Sequence, residues 1–338
     1  MSNIFKNKSI LITGGSGSFG STFVSIILKK YKPRKVIIYS RDELKHYELE
    51  NSLNKKNLIK NNNIRFFIGD IRDKARLQLA TKDVDLLIHA AALKHVSTSE
   101  YNPFEAVKTN ILGAQNIIEV SLENNIKKVI SLSTDKASSP INLYGATKLT
   151  SDKLFTSANN YSGKKDVKFS VVRYGNVMSS SGSVIPLFLQ QAKTGTLTIT
   201  DERMTRFNIT LQEAVDFVIK IYETMWGGEI FIPKLPSYNI LDLAKAVSPN
   251  SKIKIIGIRP GEKLHEEMIS VNDSINTLEY KDYFVILPES KYLQWNKNDY
   301  KKRSKSKSNF CPSNFSYSSE KNKKFLKISD LKKLINLK

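Results

Sequence analysis

The sequence predicts an α/β fold, a doubly wound parallel sheet followed by a smaller C-terminal α/β cap. Three observations predict it. Short apolar runs alternate with longer amphipathic stretches through the first half, as βαβ units require. Several of these runs are almost continuously hydrophobic, as strands covered on both faces must be. After Tyr174 the rhythm loosens, and Gly182, Pro186, Gly195, Gly227 and Pro233 punctuate shorter elements.

In order, strands are predicted at Ser9–Thr13, Lys35–Tyr39, Ile64–Ile68, Asp85–Ala90, Lys128–Leu132 and Phe169–Tyr174. Helices fall between them at Phe19–Tyr31, Glu43–Leu53, Asp73–Thr81, Pro103–Glu123 and Leu143–Tyr161, the first ended by Pro33. Residues 291–319 are polar and lysine-rich and predict a mobile loop. A last helix is expected at Ser329–Leu337, with Leu331, Leu334 and Ile335 on one face.

A chain of 338 residues has ample length to bury a core. Its single cysteine, Cys311, excludes an intrachain disulfide framework and fits a reducing cytoplasm. No apolar run approaches the ~20 residues that span a bilayer, and the N-terminal apolar segment is too short for a signal peptide, so a cytoplasmic location is expected. The net charge of +21 raises nucleic acid as a partner. Residues 291–338 hold 14 Lys/Arg against three acids, about half of the excess, and no aromatic-interleaved basic stripe accompanies them. Solvated lysine surface is the expectation, with neither nucleic acid nor membrane as partner.

Chemistry concentrates where the predicted strands end. Thr13-Gly14-Gly15-Ser16-Gly17-Ser18-Phe19-Gly20 leaves the first strand and opens the first helix, as in Rossmann-type dinucleotide sites. Its glycines allow a tight turn and let backbone N–H groups approach a pyrophosphate. After the second strand come Ser40, Arg41, Asp42 and Lys45, where the adenosine ribose is read. An acid there would accept the 2′-hydroxyl of NAD, whereas Arg41 would pair with the 2′-phosphate of NADP. NADP is favoured, with Asp42 alternatively a cap for the next helix. Asp70 and Ile71 are placed to meet the adenine, while Ala90 and Ala91 are small enough to let the cofactor's middle pass.

Tyr144 and Lys148, spaced i and i+4, share one helix face, and a nearby ammonium lowers a phenol's pKa. Alone this pair is commonplace; after five βα units it reads as a base for a carbinol proton. Upstream, Thr134, Asp135 and Lys136 leave the fifth strand. The threonine could hold a substrate oxygen, and the next two add a second acid/base pair. Position alone leaves them balanced against a surface ion pair. His46, His89, His95 and His265 lack ligand spacing, so no metal is expected. Arg173, Arg206 and Arg259 could clamp a diphosphate or be solvated.

These segments resemble the extended short-chain dehydrogenase/reductases, and among them the inverting UDP-N-acetylglucosamine 4,6-dehydratases (5-epimerising) of pseudaminic acid synthesis. The matching stretches include TGGSGSFG at 13–20, AALKHV at 91–96, NPFEAVKTN at 102–110, STDKA at 133–137, NLYGATKL at 142–149, MTRF at 204–207 and IRPGEKLHE at 258–266. The resemblance runs from about residue 9 to 288 and resumes at FSYSS, 315–319. It implies that Tyr144, aided by Lys148 and Thr134, removes the O4 proton while hydride leaves C4 for NADP. It further implies Lys136 as base at C5 and Asp135 as acid to the departing C6 hydroxyl. Lys94, Asn176, Arg206, Arg259 and Glu262 would hold UDP-N-acetylglucosamine, and Lys94 would also touch the cofactor. A homo-oligomer is implied, with a hexamer as one candidate size.

The expected organisation is therefore an NADP-binding Rossmann domain at 1–174, a UDP-sugar-binding region at 175–290, and a basic loop with a C-terminal helix at 291–338. The pattern departs from the family at Ser97–Ser99, Ser179–Ser181 and Asn208. The rival readings are a UDP-sugar 4-epimerase, a C5-retaining dehydratase, and a nucleotide-binding protein without catalysis. The last is disfavoured by the intact set Thr134, Asp135, Lys136, Tyr144 and Lys148.

Overall fold

A computed structural model describes residues 4–60, 62–163, 165–178, 183–289, 295–303 and 307–336. Ser179–Ser181, one of the family departures, lies outside them.

The first strand, β1 (Ser9–Thr13), is buried at every position, and β2 (Lys35–Ser40) and β3 (Ile64–Ile68) pair beside it in parallel. On its other side stand β4 (Leu86–His89), β5 (Lys128–Thr134) and β6 (Lys168–Tyr174), also parallel. The order 3-2-1-4-5-6 reverses direction between β1 and β4 and opens a crevice at the carboxyl ends of those strands. Helices α1 (Ser18–Lys30), α2 (Glu43–Lys55) and α3 (Lys74–Ala80) connect the first strands.

The expected single helix at Pro103–Glu123 is in fact interrupted. A helix at Val96–Tyr101 (α4) precedes it, then Pro103–Val107 (α5), a π-helical turn at Lys108–Leu112, and Gly113–Glu123 (α6). The wide turn carries Asn110, whose amide clasps the backbone of Leu93 in both directions at 2.9 Å and donates to Thr147 Oγ1 at 3.0 Å. A π turn inserted in an α-helix thus pins the loop that follows β4. Ser97–Ser99 lie within α4, with Ser99 buried. Helix α7 (Leu143–Ser157) follows β5 and is capped by Asn142, which accepts from the Gly145 amide at 2.8 Å.

The chain after Tyr174 contributes to two bodies. Short strand β7 (Asn176–Val177), helix α8 (Val184–Ala192), β8 (Thr196–Ile199) and β9 (Thr205–Ile209) lead to α9 (Leu211–Thr224), which has a capping box from Thr210 and Glu213. Strand β10 (Ile230–Pro233) then joins the main sheet beside β6. Next come β11 (Ser237–Asn239), α10 (Ile240–Val247), β12 (Lys252–Ile255), β13 (Glu267–Ile269), α11 (Val271–Ser274), β14 (Thr277–Glu279) and β15 (Tyr283–Ile286). The last two extend the main sheet in antiparallel fashion. A second core forms around Phe188, Leu197, Ile199, Met204 and Leu243 in the cap.

The mobile loop expected at 291–319 is corrected where it is described. It contains α12 (Lys297–Arg303), β16 (Asn309–Phe310) on the sheet edge, and β17 (Tyr317–Ser318) paired with β13. Aromatic anchors among the lysines cause this order. Trp295 meets Trp226 edge-on at 5.7 Å, and Tyr317 packs on Phe207 and Phe284. The final helix, α13 (Ile328–Asn336), buries Leu331 in the cap core. No helix among the described residues is long and apolar enough to cross a membrane.

Candidate active site

The glycine turn lies at the β1/β4 crevice. Gly14 has φ +64°, and a Cβ on it would come within 3.0 Å of the Ala91 backbone nitrogen. Gly20 backs onto Gly15, where a Cβ would meet the Gly15 backbone at 2.5 Å, so α1 can approach β1 only with both glycines. Helix α1 begins at Ser18 with Gly17 as its N-cap and no side-chain cap, beside Ser16 and Phe19. Ser16 Oγ contacts Ser40 Oγ at 2.7 Å, closing the turn onto the end of β2.

At that end Asp42 accepts from the Lys45 amide at 3.0 Å and pairs with Lys45 Nζ at 2.8 Å, so it caps α2. Arg41 remains largely exposed, 3.4 Å from Asp70. Asp70 is more firmly held by Arg72, which donates from both Nε and Nη2. Ile71 is buried against Gly113, and Ala90 and Ala91 line the crevice opposite Gly14.

The five residues expected to be catalytic converge at the end of β5. Thr134 Oγ1 donates to Asp135 Oδ1 at 3.0 Å, and Lys136 Nζ lies 3.0 Å from the same oxygen. Asp135 is 0% exposed, and burial raises its carboxyl above the usual range despite the Lys136 ammonium. Among the described residues its Oδ2 has no hydrogen-bond partner, and it faces Gly175, where a Cβ would come within 3.2 Å. A surface ion pair is excluded. Lys136 also meets Glu266 Oε1 at 3.1 Å, and the two carboxylates outweigh burial to hold its ammonium well above the ordinary lysine range.

Tyr144 and Lys148 correct one expectation. Burial pushes the Tyr144 phenol up to about 12, opposed by Lys136 and the Thr134 hydroxyl rather than by Lys148. Lys148 instead donates to the Leu132 carbonyl at 2.8 Å, and burial pulls its ammonium down, partly offset by Asp152. Desolvation therefore wins over the i, i+4 neighbour.

Arg173 is neither a diphosphate clamp nor solvated. It is buried, 3.1 Å from Asp152 and donating to the Met268 carbonyl at 2.9 Å. Arg206 is also buried; it donates to the Thr205, Leu264 and Lys263 carbonyls and lies 3.5 Å from Glu262. Asn176 and Arg259 are exposed on the cap side, with the Arg259 amide donating to Glu262 at 3.4 Å. Asn208, opposite Asn176 in β9, is buried. Lys94 ends the loop after β4, and burial lowers its ammonium. Among the described residues no cluster of His, Cys, Asp and Glu could hold a metal.

Sequence spacing marked the segment at 258–266 but not its contacts, which tie the cap to the turn after β5. Gly261 accepts from Asn142 Nδ2 at 2.7 Å, Lys263 Nζ donates to the Ser138 carbonyl at 2.7 Å, and Glu267 accepts from Ser139 Oγ at 2.8 Å. Ser319 holds the same loop: its Oγ accepts from the Glu266 amide at 2.9 Å and contacts Thr205 Oγ1 at 2.7 Å.

Residues 10–288 match the model of a family described as polysaccharide biosynthesis protein. The chain belongs to that family. Within the polysaccharide biosynthesis protein family it is 52% identical over 335 residues, 98% of each chain, to a UDP-N-acetylglucosamine 4,6-dehydratase (inverting) of Campylobacter jejuni subsp. jejuni serotype O:23/36 (strain 81-176). A UDP-glucose 4-epimerase of Rickettsia bellii (strain OSU 85-389) is 41% identical over 87% of each chain. Among solved structures, Pen from Bacillus thuringiensis superposes with TM-score 0.87 at 38% identity, covering 98% of each chain.

Proposed function

We propose that this chain dehydrates UDP-N-acetylglucosamine across C4 and C6 with inversion at C5, yielding UDP-2-acetamido-2,6-dideoxy-β-L-arabino-hexos-4-ulose. The observation that carries it is the Thr134-Asp135-Lys136 cluster beside Tyr144, with Asp135 fully buried, a second acid/base pair that a 4-epimerase does not need. The 52% identity to a protein named for this reaction supports the same reading.

The crevice fits a dinucleotide: Gly14 turns the chain at φ +64° beside the Ala91 backbone, Gly20 lets α1 close onto Gly15, and the start of α1, with no side-chain cap, offers backbone N–H groups to a pyrophosphate. Bound there, NADP would supply a hydride acceptor and a positive charge that counters the burial of Tyr144. Tyr144 takes the O4 proton, with Thr134 and Lys148 orienting it. The resulting 4-ketone acidifies C5–H, which Lys136 removes. Asp135, which burial favours in its protonated form, is the reservoir for the proton that leaves with the C6 hydroxyl as water. Lys94, Asn176, Arg206, Arg259 and Glu262 are assigned to the UDP-sugar, Arg206 acting by bracing Glu262. The region 175–290 then serves substrate and 1–174 the cofactor, in a cytoplasmic homo-oligomer, a hexamer among its candidate sizes, that supplies pseudaminic acid synthesis.

Incubation with UDP-N-acetylglucosamine in D₂O, followed by NMR, tests the reaction. The expected product is a 6-deoxy-4-keto sugar with deuterium at an inverted C5; an unchanged C6 hydroxymethyl group would end the dehydratase reading. Arg41 supports the cofactor choice, since Asp42 is engaged in capping α2. Arg41→Ala is expected to weaken NADP binding about 10- to 100-fold, the loss of a charge-assisted hydrogen bond, and to leave NAD binding nearly unchanged. Equal weakening for both cofactors in equilibrium titration would refute the assignment.

A further inference from the structure

We propose that Glu266 is the positioning residue for Lys136: its carboxylate fixes the amine over C5 and stabilises the ammonium formed when the C5 proton is captured. The inference rests on the reading of Lys136 as the C5 base. Glu266 lies 130 residues from Lys136 in sequence, yet its Oε1 sits 3.1 Å from Lys136 Nζ. It is 1% exposed, and its Oε2 has no hydrogen-bond partner among the described residues. A buried carboxylate with an unsatisfied oxygen is costly, and such groups gather where charge must be managed. The placement is built: Ser319 holds the Glu266 backbone on both sides, and Arg206 Nε stands 3.7 Å from Oε1.

The charges balance through the step. At rest the two carboxylates hold Lys136 as an ammonium; for the step its proton moves to Asp135 across their 3.0 Å contact, leaving an amine, with Glu266 paired with Arg206. As the C5–H bond breaks, its electrons form the C5–C6 double bond and the proton goes to Lys136 Nζ. The C6–O bond breaks, its electron pair leaves with oxygen, and the Asp135 proton completes the water. Afterwards Asp135 is a carboxylate and Lys136 an ammonium, the ion-pair geometry observed here. Proton return from Lys136 to Asp135 across 3.0 Å resets the pair. At every stage the buried group of Asp135, Lys136, Arg206 and Glu266 is neutral overall. Without the Glu266 charge the group would carry one net positive charge throughout, and the ammonium forming on Lys136 would share Asp135 with Arg206, which is expensive. The other groups facing Lys136 are Tyr144 from α7, Tyr238 from β11 and Lys263 from the same loop as Glu266; none of them supplies a resident negative charge.

Glu266→Gln keeps the shape and removes the charge. The expected result is a fall in kcat of roughly 100-fold, with KM unchanged. Deuterium wash-in at C5 should slow in parallel. The acid limb of the kcat–pH profile should move to lower pH, because Lys136 loses a counter-charge that favours its protonated form. Glu266→Asp should recover part of the rate and of the limb position. A normal kcat and an unmoved limb in Glu266→Gln would overturn the proposal, as would a loss confined to KM. If Glu266→Gln does not fold, the limb in Glu266→Asp decides: moved supports, unmoved overturns. Lys136→Met separates the two readings. Normal C5 wash-in in that variant removes the base assignment itself, whereas blocked wash-in there with normal Glu266→Gln kinetics removes only the role of Glu266.

Discussion

Lys136→Met is expected to lower dehydration by about 1,000-fold while oxidation at C4 survives at a reduced rate, since Lys136 also opposes the burial of Tyr144. Methionine nearly matches the lysine stem but can neither accept the C5 proton nor form the ion pairs to Asp135 and Glu266. General bases contribute ~10²–10⁴-fold, and among the described residues Lys136 is the amine paired with Asp135, at 3.0 Å. The groups serving O4, Tyr144 and Thr134, remain in place, so labelled borohydride should still trap a 4-keto sugar that keeps its C6 hydroxyl. C5 should show no deuterium wash-in. Parallel loss of trapping and elimination would mean that Lys136 acts on the fold or on the first step. The assignment would then fail.

Asp152→Ala should give the largest loss of stability, about 3–5 kcal/mol in denaturant unfolding. Asp152 Oδ2 accepts from Ser133 Oγ at 2.7 Å and from Arg173 Nη2 at 3.1 Å, with both charged partners buried. Removing the carboxylate leaves the Arg173 guanidinium desolvated and uncompensated beneath the catalytic turn. The double variant Asp152→Leu with Arg173→Met removes both charges together and should recover most of the loss, since paired removal of buried ions is often near neutral. An unchanged unfolding midpoint for Asp152→Ala alone would contradict the ion pair's weight.

Local pattern made the first half of the sheet legible. The strand expected at Ser9–Thr13 is observed with those bounds, because a buried parallel strand is written as an unbroken apolar run. The helix at Val96–Tyr101 escaped notice since Ser97, Thr98 and Ser99 are indifferent helix formers, ordered here by packing. The break around Lys108–Leu112 depends on what Asn110 clasps across space, which no window of neighbours reveals. The catalytic turn was readable as a motif, but its environment was not. Whether Asp135 and Lys136 were surface or interior depended on Glu266 and Gly175, far along the chain. Tyr144 shows the same limit: spacing put a lysine beside it, while desolvation set its proton affinity.

Ser319 and β17 bear on the life of the chain before it is finished. The Glu266 loop is held by Ser319 and by the pairing of Glu267 with Ser318, while α13 closes the cap core with Leu331. A ribosome that has already released the whole nucleotide-binding sheet therefore holds a nascent protein whose acid/base centre is still unassembled. A chain cut before residue 317 is expected to lose the hold that Ser318 and Ser319 keep on the Glu266 loop, which loss of turnover with retained dinucleotide binding in the truncated protein would check.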